Sequence, residues 1–309
     1  MSEFKPPLIV IAGPTASGKS ALALALAQQI GGVIVNADSA QIYADLRVLS
    51  AAPTDKELKR AEHRLYGVLD GALPCSAADW ASMAAQEIDE IRSSGRTPIL
   101  VGGTGLYLRT LLDGIAPVPP IDPDIREQVR ATPVAINRTK LEALDGEAAR
   151  RVNAGDTARI NRALEVILST GRTLAQWQQE RSGGIANQVQ LKPLILLPPR
   201  RQLYVRCDER FAHMIDEGAI SEVEALLARK LSPNLPVMRA IGVRELSRYL
   251  FGAISLDEAI AAGQQATRRY AKRQYTWFAH QPPSEWPRFQ EPLDLDNMRS
   301  ALALLLSRD

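Results

Sequence analysis

Eight consecutive residues, Gly13, Pro14, Thr15, Ala16, Ser17, Gly18, Lys19 and Ser20, satisfy the pattern G-x-x-x-x-G-K-[ST] in full. Residues of these types at this spacing hold phosphate. The glycines let backbone N–H groups face an anion, and a following helix N-terminus adds the positive end of its dipole. Lys19 supplies a point charge for the outer phosphate, and Ser20 offers a hydroxyl to Mg²⁺. A di- or triphosphate site over Gly13–Ser20 is expected. By itself the pattern admits ATP as readily as a diphosphate.

Two further groups are placed for chemistry. Asp38 opens the polar cluster Asp38-Ser39-Ala40-Gln41, just past the apolar run Val33–Val35. Such a carboxylate could hold Mg²⁺ through water or act as a general base, and a plain helix N-cap is the alternative. The cluster is denser in polar side chains than capping requires. Farther on, Ile99–Val101 leads into Gly102-Gly103-Thr104. Two glycines there permit close backbone approach to a ligand, and Thr104 either faces that ligand or only caps the next helix. Enzymes that hydrolyse a nucleotide on such a loop usually end a strand in a Mg²⁺-binding Asp. Gly102 stands at that place, so the loop is read as holding a diphosphate that departs.

These groups need elements to position them. Leu8–Ala12, Val33–Val35, Leu65–Leu69, Pro98–Val101 and Leu194–Leu197 read as short apolar strands. Helices are predicted from Ala21, over Ser76–Ser94 with Asp79 completing a capping box, and over Thr104–Asp113. The alternation implies an α/β fold with a P-loop core, its parallel sheet flanked by helices. It breaks at Pro117, Pro119, Pro120 and Pro123. Helical stretches follow near Asp124–Ala131, Asn137–Leu144 and Thr157–Thr170. The predicted organisation is a first core part over 1–116, an inserted all-helical subdomain over 117–190, and core completion with C-terminal helices over 191–309. A long helix starts at the Ser255/Glu258 capping box, and a terminal one spans Asp296–Ser307.

Composition narrows the partners. The chain has 309 residues and a net charge of +2, too small to announce a nucleic-acid binder. Yet 29 of its 37 basic residues are Arg, a type suited to bidentate phosphate contacts, although a GC-rich genome would give the same bias. Cys75 and Cys207 fit no zinc spacing, which sets reduced thiols and a cytoplasmic location as the expectation. His63, His213 and His280 form no ligand spacing. No apolar run reaches membrane-span length. Near the C-terminus, Arg268, Arg269, Lys272 and Arg273 make a predicted basic stripe on one helix, interleaved with Tyr270, Tyr275, Trp277 and Phe278. RNA phosphates are its expected ligand, and a solvated helix face with an aromatic core seam is the alternative.

Taken in order, Gly13–Ser20, Asp38–Tyr43, His63–Leu65, Cys75–Asp79, Gly102–Tyr107, Asp156–Val166, Arg239–Arg244 and Thr267–Phe278 closely resemble the bacterial-type tRNA dimethylallyltransferase (tRNA isopentenyltransferase) family. The resemblance spans nearly the whole chain, and the ordered set is far more specific than the phosphate loop. It implies transfer of a dimethylallyl group from dimethylallyl diphosphate, with Mg²⁺, to the exocyclic 6-amino group of the adenosine 3′ of the anticodon. Asp38, Thr104 and Lys19 would be catalytic, and Gly13–Ser20 would bind diphosphate. The tRNA anticodon stem-loop would meet Asp38, Ser39, Ala40, Gln41, Thr104, Arg126, Ala158, Arg159, Ile160, Asn161, Arg162, Arg239, Ala240, Ile241, Gly242, Val243, Arg244, Arg268, Arg269, Lys272 and Arg273. Such a protein is expected to be a monomer. One segment departs: where the family has an Ile-Gly-Thr-Ala-Lys-Pro-like sequence, this chain has Val48-Leu49-Ser50-Ala51-Ala52-Pro53, with Leu for Gly and Ala for Lys. Competing readings are a small-molecule or nucleotide kinase, a prenyltransferase acting on free AMP, and an RNA-binding protein with a vestigial loop. A long helical insertion and a basic C-terminal helix disfavour the first two, because a free nucleotide needs neither.

Overall fold

The computed structural model describes residues 5–307. Strand β1 (Pro7–Ala12) is followed by helix α1 (Lys19–Ile30), β2 (Val33–Asn36), α2 (Asp55–Leu58), β3 (Glu62–Arg64), α3 (Ala77–Ser93), β4 (Pro98–Gly102) and α4 (Gly105–Asp113). Next come α5 (Pro123–Ala131), α6 (Val134–Leu144), α7 (Gly146–Arg151), α8 (Thr157–Thr170) and α9 (Leu174–Gln178). The chain finishes with β5 (Gln190–Leu196), α10 (Arg200–Asp216), α11 (Ala219–Ala228), α12 (Val243–Leu250), α13 (Leu256–His280), β6 (Arg288–Phe289) and α14 (Leu295–Leu306). It packs into two units, Leu112–Ile185 and the remainder.

In the larger unit the sheet order is β3-β2-β4-β1-β5-β6, and every pairing is parallel. β1, β2 and β4 are buried almost throughout, as befits strands covered on both faces. One face packs Ile9, Ile11, Ile34 and Ile99 against Leu22 and Leu26 of α1 and Ala301 and Leu305 of α14. α3 is anchored by Trp80, whose indole N–H donates to the Asn36 carbonyl at 3.0 Å. Because β1, β4 and β2 are adjacent, the loops at their carboxyl ends stand side by side. That placement brings Gly13–Ser20, Gly102–Thr104 and Asp38 together.

The third strand lies earlier than Leu65–Leu69. Pairing stops at Arg64, and Leu65 takes a left-handed φ of 62°, which turns the chain out of the sheet. Buried Asn36 accepts that turn, its Nδ2 donating to the Leu65 carbonyl at 2.9 Å. The two-residue β6 carried no strand-like run in the sequence. Ser76 and Asp79 do form the reciprocal capping box over α3, and Ser255 and Glu258 form that of α13. The smaller unit is all helical, with a core of Leu141, Ala149, Ile160 and Ala163. Asn137 is fully buried there, donating to the Val129 and Thr132 carbonyls and to Asn161 Oδ1, so one side chain stitches α5, α6 and α8.

Candidate active site

The loop Gly13–Ser20 takes its shape from its own backbone. Gly18, the cap of α1, has φ 95°, a conformation side-chain-bearing residues rarely adopt, and it turns the loop into the helix. Ala16 is left-handed as well, at φ 61°, and packs against the cluster of Leu203, Cys207 and Ala271 of α10 and α13. The Lys19 ammonium donates to the Pro14 carbonyl at 2.6 Å. Burial pushes its pKa down to about 8. Ser17 is 1% exposed, and its hydroxyl has no hydrogen-bond partner among the described residues. Buried polar groups are nearly always satisfied, and a phosphate oxygen lying over the loop would satisfy this one.

Two adjoining cavities meet at this loop. One, of about 320 Å³, is lined by Thr15–Ala21, Asp38, Gln41, Ser50, Arg206 and Arg210. The other, of about 300 Å³, is largely apolar, with walls from Leu46, Leu49, Phe211, Met214, Val237 and Ile241 and polar edges at Asp38, Ser39 and Tyr270. Thr15, Asp38, Ser50 and Arg210 line both. A carboxylate and a guanidinium therefore stand where an anion pocket opens into an apolar one.

Hydrogen bonds fix the Asp38 segment. Its backbone N–H donates to Asn36 Oδ1 at 2.8 Å, and its Oδ1 accepts from Ala40 N at 3.0 Å. The Thr104 hydroxyl is turned to the Asp38 segment. Oγ1 accepts from Ser39 N at 3.0 Å and lies 3.3 Å from Ser39 Oγ, which ties the β4 turn to the Asp38 segment. Gln41 holds the departing stretch 48–53, donating to the Ser50 and Ala51 carbonyls at 3.0 and 2.7 Å. Glu222 clamps the same stretch through Val48 N and Leu49 N, at 2.8 and 2.9 Å. Leu49 lines the apolar cavity and packs against Gly242, where a Cβ would lie 2.7 Å from its Cδ2. The residue that replaces the family glycine thus forms cavity wall.

The sequence-predicted nucleic-acid residues separate in space. Arg239, Ala240, Ile241 and Arg273 line the apolar cavity, and Arg273 stacks over Tyr270 at 5.6 Å from its ring centroid. Arg244, Arg269 and Lys272 are exposed. Arg268 is instead ion-paired with Asp208 of α10 and joins two packed helices. The four basic residues span an arc of about 140° at about 100° per residue, and Arg268 occupies the edge of that arc that packs on α10. Of the aromatic seam, Phe278 is core. Gly242 and Val243 are buried, so their side-chain positions meet the protein interior. In the helical unit Arg126, Ala158, Arg159 and Arg162 are exposed and Asn161 is bonded to Asn137, whereas Ile160 is fully buried in the core. Ile160 and Val243 consequently support neighbouring contacts and cannot make them through side chains.

Sequence inspection missed Arg210. It lies on α10, partly buried, and donates a hydrogen bond to the Thr15 hydroxyl. Burial lowers its pKa, opposed by Cys207 and Asp38. A signal existed: Leu203, Cys207, Phe211 and Met214 are the buried stripe of α10, and Arg210 adjoins it. An arginine at the margin of an apolar stripe calls for an anionic partner. Gln274, buried between two loops, was also passed over, and Tyr270, read only as part of the aromatic seam, lies beside Thr104.

Among the described residues no helix is long and apolar enough to cross a membrane, and no three His, Cys, Asp or Glu side chains converge on a metal position. Cys75 and Cys207 are free thiols. A hard cation at Ser20 and Asp38 would thus draw most of its ligands from phosphate and water, the usual habit of Mg²⁺.

A family model described as IPP transferase matches residues 41–281. The tRNA dimethylallyltransferase of Erythrobacter litoralis is 60% identical over 291 residues, covering 93% of this chain and 92% of its own. That of Sphingopyxis alaskensis is 61% identical over 290 residues, covering 94% and 95%. Among solved structures, the full-length tRNA isopentenylpyrophosphate transferase of Bacillus halodurans aligns with a TM-score of 0.69 at 31% identity, over 96% of this chain and 95% of that one. A eukaryotic dimethylallyltransferase acting on tRNA aligns with a TM-score of 0.76 at 27% identity, over 88% and 69%.

Proposed function

This chain belongs to the tRNA dimethylallyltransferase family, and we propose that it transfers a dimethylallyl group from dimethylallyl diphosphate to the exocyclic 6-amino group of the adenosine 3′ of the anticodon in tRNA. One observation carries the assignment of roles: Asp38 and Arg210 stand on the wall shared by the anion pocket and the apolar cavity. A donor with a diphosphate head and a five-carbon tail matches that pairing of surroundings, its C1–O bond falling near the boundary.

In the reaction the amine nitrogen bonds to the allylic C1 while the C1–O bond breaks and diphosphate departs with the electron pair. Charge grows on the leaving oxygens. Loop N–H groups, Lys19, the Ser17 hydroxyl and Arg210 would stabilise it. Mg²⁺ held by Ser20 and the diphosphate would add positive charge at the same oxygens. An adenine amine is conjugated into its ring and is a weak nucleophile, so a base must remove its proton as the new bond forms. Asp38 is that base, its Oδ1 oriented by Ala40 N. Thr104 acts beside it by holding Ser39.

To reach the site the base must leave the anticodon-loop stack, which requires a grip on the flanking RNA. Arg239, Arg244, Arg269, Lys272 and Arg273 in the larger unit, and Arg126, Arg159 and Arg162 in the helical insertion, are the cations for that grip. The test is mass spectrometry of an anticodon stem-loop RNA incubated with the protein, donor and Mg²⁺. A gain of one C5H8 on the adenosine 3′ of the anticodon is expected. ATP hydrolysis, or phosphorylation of a nucleotide with no change in the RNA, would overturn the assignment.

A further inference from the structure

Gln274 lies on α13, far in sequence from both the phosphate loop and the β4 turn, yet it touches each. Its Oε1 accepts a hydrogen bond from Thr15 N at 2.8 Å, and its Nε2 donates to the Gly103 carbonyl at 2.8 Å. Gln274 is 6% exposed, which shields its amide from most of the solvent. Its orientation is forced, since the backbone N–H needs an acceptor and the carbonyl needs a donor. Gly103 makes room for it: a Cβ there would collide with Gln274 Nε2 and lie 3.2 Å from the Gly13 carbonyl oxygen.

We propose that Gln274 is a positioning residue that sets the distance between the phosphate loop and the amine-side residues Thr104 and Asp38, and so the register of the two reacting groups. The chain of contacts is continuous. Thr15 N bonds to Gln274, Gln274 to the Gly103 carbonyl, and the neighbouring Thr104 to Ser39 N beside Asp38. Donor phosphate contacts come from Ser17, Lys19 and Arg210, none of which Gln274 replaces. Losing the latch should leave both substrates bound but out of line, and a misplacement of about 1 Å can lower a rate about 10²-fold.

The inference rests on the prenyl-transfer assignment above. Its test is a set of full-length variants assayed for single-turnover transfer at saturating donor and RNA, with each substrate's affinity and the folded fraction measured separately. Gln274→Met keeps length and packing without either bond, and Gln274→Asn keeps both groups one methylene too short. Each is expected to transfer ~10²-fold more slowly, with donor and RNA affinities within about threefold of wild type. If Gln274→Met does not fold, Gly103→Ala presses a methyl on the same amide and is expected to show the same split. A folded variant with an unchanged saturated rate, or a loss lying wholly in donor affinity, would overturn the latch. Wild-type protein that left the RNA unmodified would overturn the activity assignment instead, so the two failures read differently.

Discussion

The Lys19 ammonium donates a hydrogen bond to the carbonyl oxygen of Pro14, five residues earlier in its own loop, at 2.6 Å. The loop's backbone thereby keeps a charge aimed inward before any phosphate arrives. Dehydration lowers the Lys19 pKa from 10.5 to about 8, with Asp38 opposing the shift and Arg210 reinforcing it. A cation held this way destabilises the free fold and gains when an anion binds.

Lys19→Met should accordingly yield a protein that is inactive yet more stable. The unfolded lysine titrates near 10.5 and the folded one near 8, so at pH 7 both are charged and the full penalty is present. Between those values the unfolded state binds more protons, and wild-type stability rises with pH. Removing the charge at neutral pH should raise the unfolding free energy by about 1–3 kcal/mol, allowing for partial solvation. Urea unfolding at neutral pH and at about pH 9.5 checks this, the gain shrinking at the higher value. Destabilisation at both would refute it.

The same titration should appear in donor kinetics. Free protein loses the Lys19 charge as pH rises through about 8. The kcat/KM for dimethylallyl diphosphate should then fall about tenfold per pH unit on the alkaline side, while RNA affinity stays flat across that limb. Bound diphosphate restores the charge, so kcat should bend at higher pH than kcat/KM. Identical alkaline limbs for both parameters would exclude Lys19 as their source.

Asp38→Asn preserves shape and removes the base. Transfer at saturation should slow ~10²–10⁴-fold with both substrates still bound. The Ala40 N hydrogen bond can pass to the amide oxygen, which leaves the local fold intact. An unchanged chemical step together with weakened Mg²⁺ binding would make Asp38 a metal residue.

The basic residues of α13 should separate by role. Arg269→Ala with Lys272→Ala should weaken RNA binding and flatten its salt dependence by roughly 0.7–0.9 in log–log slope per lost contact, with donor affinity intact. Arg268→Ala breaks the pair with Asp208 between α10 and α13, and it should lower thermal stability with little effect on the salt slope. RNA affinities across a salt series, set beside melting curves, distinguish the two. Equal slopes for wild type and the Arg269/Lys272 pair would make that face a solvated surface only.

The local features of this protein were legible in its residues. Gly13–Ser20 reads as a phosphate loop because backbone geometry and charge are specified within eight positions. The capping boxes at Ser76 and Ser255 mark helix starts because both partners lie three residues apart. Ordered motifs along the chain pointed to the family. Pairings distant along the chain, by contrast, were decided by the tertiary structure. Leu65 reads as strand by composition, yet its turn is set by Asn36 on a neighbouring strand. Arg268 reads as a phosphate ligand until Asp208, sixty residues away, neutralises it. Arg210 shows in sequence only as a charge at the margin of an apolar stripe and Gln274 as one more polar helix residue, and only the packing of α10 and α13 against the loop brings them to Thr15. Local rules cover what neighbouring residues satisfy among themselves. A buried charge or amide finds its partner wherever the fold puts one.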